Sequence, residues 1–98
     1  MTAKNENIKK VTVDGITVEI DLRALKSFDF FDTMTIGLDE EESDEARMVA
    51  TGRMMRLVFG DQFSAVKKAL NEKHDGFAPL EAMQDFIGNV MEKVDAKN

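Results

Sequence analysis

Between Met48 and Val94 the apolar residues recur at three- and four-residue intervals in three blocks, with helix stops and starts written between them. That recurrence is the strongest constraint on this chain, because a 3.6-residue period places such side chains along one face of a helix. The first block predicts a helix from about Glu45 to Phe59, with Met48, Thr51, Met55 and Val58 in one stripe and Val49, Gly52 and Phe59 beside it. Gly60 ends it and Asp61 opens the next helix, Gln62 to about Lys73, which turns Phe63, Val66, Ala69 and Leu70 inward and Lys67 and Lys68 outward. Gly76 and Pro79 interrupt again. Proline suits a first helical position, since its missing N–H would have no partner there, so the last helix is expected from Pro79 to Val94. Its stripe is Leu80, Met83, Ile87, Val90 and Val94, widened by Phe86 and Met91.

Upstream the period changes to two. Residues 8–13 and 16–20 are β-branched runs flanking Asp14-Gly15, the favoured pair for a two-residue hairpin turn. Alternation puts Val11 and Val13 on one face with Ile16, Val18 and Ile20, and leaves Lys10, Thr12, Thr17 and Glu19 outside. A lone hairpin is marginal in water, so this one must lie on the helices or extend a sheet in a neighbouring subunit. Residues 21–26 form a short connection or a single helical turn. Ser27 then caps a short aromatic helix that ends at Gly37, with Phe28, Phe31 and Thr35 sharing one side and Phe30 and Met34 near it. The acidic run 39–45 repels itself as a helix, yet Ser43 or Asp44 is placed to cap the helix that follows.

The expected fold is therefore α+β: one domain over 1–98, with a flexible leader at 1–7, a hairpin at 8–20, a short helix at 27–37, an acidic loop at 39–45 and three helices over 45–94. The hairpin packs on this small bundle of three to four helices. Gly52 and Gly88 fall inside helices, where glycine costs ~1 kcal/mol relative to alanine, and close helix packing is the reading for both.

The chemistry available to such a chain is narrow. It has no cysteine, tryptophan or tyrosine and a single histidine, which leaves few parts for nucleophilic, thiol or metal chemistry. His74 is expected as an exposed turn residue beside Asp75, with no nucleophile or second ligand at a recognisable spacing. The acidic run lacks the glycine and the closing glutamate of a calcium loop, and no cofactor or metal is expected. A net charge of −6 argues against binding to nucleic acid or to anionic membranes, both of which need a basic surface. No stretch reaches the ~20 apolar residues that span a bilayer, and residues 1–7 lack a signal-peptide core, so the protein is expected in the cytoplasm. A protein partner remains. Methionines fill cores and also build adaptable contact surfaces. Met48, Met54, Met55, Phe59, Phe86 and Met91 are the candidate partner-binding residues, with Met54, off the main stripe, the foremost.

The C-terminal half has a further layout: Arg53-Met54-Met55-Arg56-Leu57-Val58-Phe59-Gly60-Asp61-Gln62-Phe63, then Lys67-Lys68-Ala69-Leu70, then Asp75-Gly76-Phe77-Ala78-Pro79-Leu80-Glu81-Ala82-Met83 and a closing amphipathic helix. With Glu19-Ile20-Asp21-Leu22 and the aromatic cluster Ser27-Phe28-Asp29-Phe30-Phe31 upstream, the pattern resembles the small tail assembly chaperones of long-tailed bacteriophages and prophages of Gram-positive bacteria. The resemblance spans about Val18 to Glu92. It departs from the family in its longer acidic spacer and in Thr33, Thr35 and Gly37, which weaken the helix after the aromatic cluster. It implies a non-catalytic protein of the bacterial host cytoplasm that binds the tape measure protein, keeps it from aggregating and recruits tail tube subunits. Exposed parts of the helices at 45–59 and 79–94 would contact the helical client, and the hairpin edge would allow self-association by strand addition. A second, frameshifted form is a family habit with which the codons possible for Ala96-Lys97-Asn98 are compatible. The competing reading is an acidic regulatory or inhibitory protein that mimics nucleic acid with Asp39 to Glu45. Mimicry would fail steeply in high salt, and apolar binding would survive it.

Overall fold

A computed structural model describes residues 7–97. Most of the expected leader, and Asn98 of the terminal tripeptide, lie outside the described residues. Strands β1 (Ile8–Val13) and β2 (Ile16–Asp21) pair antiparallel, Val13 opposite Ile16 and Val11 opposite Val18. Asp14 and Gly15 both have positive φ, 52° and 81°, as the tight turn between right-twisted strands requires. The ladder is extended at its open end by Leu22 N–H donating to the Asn7 carbonyl at 2.7 Å.

Five helices follow. A single turn, α1 (Leu22–Leu25), is capped by Asp21, whose carboxylate accepts from Arg23 N. Helix α2 (Phe28–Gly37) is capped by Ser27 and α3 (Asp44–Phe59) by Ser43, each hydroxyl accepting from the third residue onward. After a 3₁₀ turn at Gly60–Gln62 come α4 (Phe63–Lys73) and α5 (Leu80–Lys97). The boundaries differ from the sequence reading at the end of β2, which takes in Asp21, at the end of α5, which runs on to Lys97, and at two helix starts. The 60–62 turn displaces the start of α4 to Phe63. Pro79 stands one residue before α5 instead of opening it: its carbonyl accepts from Ala82 and Met83 N–H, so it serves as the cap.

The core forms where the hairpin meets α3 and α5. Val11, Val13, Val18 and Ile20, the inner face of the hairpin, pack with Phe59, Val66, Phe86, Val90 and Val94, while Lys10, Thr12, Thr17 and Glu19 are exposed. Phe59 and Phe86 lie ring to ring at 5.7 Å. Burying each side chain of this size contributes about 1.5–3 kcal/mol, and with α5 against β1 and α3 against β2 the hairpin gains the partner it lacked alone. Gln62 fastens it further: its amide accepts from Glu19 N at 2.8 Å and donates to Glu19 O at 2.7 Å, filling one position of the outer edge of β2 as a neighbouring strand would.

Helix orientation within the bundle decides what periodicity left open on α2 and corrects the stripe of α3. On α2, Phe30 is buried with Gly37 and Met34 packs against the core, whereas the side shared by Phe28, Phe31 and Thr35 faces out. On α3 the buried set is Ala50, Thr51, Met54, Met55, Val58 and Phe59, so the stripe is turned away from Met48 and Val49, both exposed. The reason lies at Gly37. A Cβ there would sit 3.2 Å from Thr51 Oγ1, so its absence allows α2 to close onto α3. The Gly37 carbonyl then accepts from Arg47 Nε of α3 at 3.2 Å and Gln84 Nε2 of α5 at 2.7 Å, pinning three helices at one point. Gly52 and Gly88 do not serve close packing: a Cβ at Gly88 meets open space, and one at Gly52 meets only the Arg56 side chain of its own helix.

Candidate functional site

The pin at Gly37 leaves a depression on each flank of α2. On the α3 flank, two adjoining hollows of about 430 and 370 Å³ share Asp32, Thr33 and Arg53. Both signs of charge occur there, Asp29 and Asp32 from α2 and Arg53 and Arg56 from α3, with Ile36, Val49 and Leu57 between them. Arg56 also lies 4.9 Å over the Phe63 ring.

The α5 flank is different. A cleft of about 350 Å³ has Met34 and Leu38 on one wall and Ile87, Gly88 and Met91 on the other, and Met54 reaches it from α3. Its ionisable lining residues, Glu92 and Asp95, are both acidic. The Gln84 amide on its wall donates to the Gly37 carbonyl. Helical spacing continues the α2 wall outward: Phe31 lies one turn before Met34 on the flank that carries Leu38, and Phe28 one turn before Phe31. These are among the most exposed large apolar residues of the molecule, Phe28 at 78%, Phe31 at 58% and Leu38 at 56%.

Of the six candidate contact residues, four are spent on the core. Met54, Met55, Phe59 and Phe86 are each at most 2% exposed, so no partner reaches Met55, Phe59 or Phe86 without opening the fold, and Met54, the foremost candidate, offers only the part of its surface that reaches the cleft. Met48 is exposed at 56%, and Met91 is half-buried in the cleft wall. The sequence reading missed Phe31, Met34, Leu38 and Ile87 as a single surface. Their signal was present in the i, i+3, i+7 spacing of Phe31, Met34 and Leu38, but Phe30, Met34 and Gly37 offered an equally good inner face.

The remaining polar features are accounted for locally. Among the described residues no group of three or more His, Cys, Asp or Glu could hold a metal ion. His74 is exposed in the turn that ends α4, where Asn71 O accepts from His74 N at 3.0 Å and Gly76 N at 2.6 Å. The acidic run occupies the α2–α3 connection. Its last members, Asp44 and Glu45, enter the first turn of α3, where the helix dipole favours them. Among the described residues the one side-chain ion pair is Asp21 with Arg23, a forked contact of 2.6 and 3.0 Å that holds the Asp21 carboxyl down at about 2. No helix among the described residues is long and apolar enough to cross a membrane. No protein-family model, curated protein or solved structure matches the chain.

Proposed function

We propose that this protein is a non-catalytic assembly chaperone of the kind its sequence resembles, acting in the cytoplasm of a bacterial host on the tape measure protein of a long-tailed phage and handing it to tail tube subunits. One observation carries the reading: the core closes without Phe28, Phe31 and Leu38, which stay exposed, Leu38 in the wall of a methionine-lined cleft and the two rings on earlier turns of the same helix. A contiguous apolar surface costs solubility, and a protein that keeps one has use for a partner. Thioether side chains repack around varied clients, and the net charge of −6 keeps both chaperone and complex dispersed. Contacts of this kind are individually weak, so a polymerising tube displaces them without a covalent or energy-consuming step.

The test is light scattering on the purified protein, alone and mixed with helical fragments of a long-tailed phage tape measure protein. A soluble complex that persists at high salt is expected. A strict monomer that never binds the fragments overturns the proposal.

A further inference from the structure

We infer that the cleft between α2 and α5 receives one apolar face of an amphipathic α-helix whose flanks carry lysine or arginine. Its biological occupant rests on the chaperone reading, but its chemistry does not. The cleft is built from helix walls, and the one side-chain amide on its lining already serves the Gly37 carbonyl. It therefore presents no strand edge to an occupant. A segment buried there must satisfy its own backbone N–H and C=O groups, which a helix does and an extended chain does not.

Length agrees. The α5 wall runs from Gln84 to Asp95, ~16 Å at the helical rise, or about three turns of an occupant lying alongside. The apolar lining offers side chains that adapt, Met34 and Met91 together with Leu38 and Ile87, and the open space in front of Gly88 lets a helix approach closely. Charge then selects the flanks. Glu92 and Asp95 stand exposed on the rim, neither has an ionic partner among the described residues, and no basic side chain lines the cleft. A second copy of this chain would bring the same carboxylates against them in a molecule already at −6, and an anionic lipid surface would be repelled likewise.

Fluorescence anisotropy with two designed amphipathic peptides of about five helical turns, identical in their leucine face but flanked by lysine in one and glutamate in the other, tests the inference on the full chain. The lysine-flanked peptide is expected to bind at least about tenfold more tightly and to gain helical circular dichroism on binding. Met91→Glu, and Glu92→Lys combined with Asp95→Lys, should each weaken it at least about fivefold. Glu72→Lys on α4, which makes one of the same charge changes away from the cleft, should stay within about twofold. The variants are checked for native circular dichroism, and Met91→Ala serves as a milder probe if Met91→Glu fails to fold. Equal binding of both peptides, or a loss from Glu72→Lys as large as from the rim pair, overturns the inference, as does binding without gain of helix. Peptide binding that follows these rules while tape measure fragments fail to bind sinks the chaperone reading alone. Tape measure binding that ignores Met91 and the rim sinks the cleft alone.

Discussion

The two flanks of α2 are built from the same short helix and lead to opposite surfaces: toward α3, aspartates face arginines across a shallow groove, and toward α5, methionine, leucine and isoleucine line a cleft with only carboxylates at its rim. A groove holding both signs presents no one-sided field to a partner. A cleft holding apolar walls and one sign retains an unmet attraction for a surface of the other sign. The lesson is that exposed apolar area becomes specific through the charge beside it, since the methylenes and thioethers themselves do not choose among partners.

The sharpest way to break the contrast is to treat the cleft as mere surface. Met54 belongs to the core and to the cleft at once, so Met54→Ala should destabilise the fold by about 2–5 kcal/mol in denaturant titration, whereas Phe31→Ser, on the outer wall, should change it by no more than about 0.5 kcal/mol. Comparable losses from both would mean that the aromatic flank supports the fold and is not held in reserve.

The pin between the flanks comes next in size. Gly37→Ala places a methyl 3.2 Å from Thr51 Oγ1, whose hydroxyl is itself held by the Arg47 carbonyl at 2.8 Å, and should cost about 1–3 kcal/mol by forcing α2 off α3. Gly88→Ala meets nothing and should stabilise α5 by about 0.5–1 kcal/mol. Thermal midpoints moving in opposite directions would support the assignment of close packing to Gly37 alone.

The smallest effect separates the paired carboxylate from the unpaired ones at the rim. Asp21, lowered from 3.8 to about 2 by its hydrogen bonds from Arg23, binds its proton more weakly in the folded than in the unfolded chain. Its contribution is complete above about pH 4 and lost as the pH falls through about 2. Asp21→Asn should flatten the acid limb of the stability profile in that window by lowering the plateau above about pH 4 slightly, leaving stability below about pH 2 unchanged, as followed by circular dichroism.

Legibility in the sequence followed the range of the interaction. Asp14-Gly15, Ser27, Ser43, Gly60 and the turn at Gly76 each act within a few residues, through a positive φ, a hydroxyl cap or a missing side chain, and each fell where the sequence placed it. The stripe of α5 was legible too, because its apolar positions are numerous and its opposite face is polar. The faces of α2 and α3 were not. Phe28, Phe30 and Phe31 put an aromatic ring on both sides of one short helix, and Met48, Val49, Met54 and Met55 supply apolar atoms nearly all round another. Periodicity has no preferred direction in such segments, so the candidate contact residues were drawn largely from what became core.

The order and type of the elements, their caps and turns, and the apolar face of the hairpin were thus determined by the sequence itself, because each depends on a few neighbouring residues. Which flank of α2 turned inward, and therefore which aromatic and methionine side chains remained at the surface, was decided by tertiary structure. Three helices had to meet at the one residue, Gly37, whose backbone lets them close, and no local rule specifies an approach between segments that are distant along the chain.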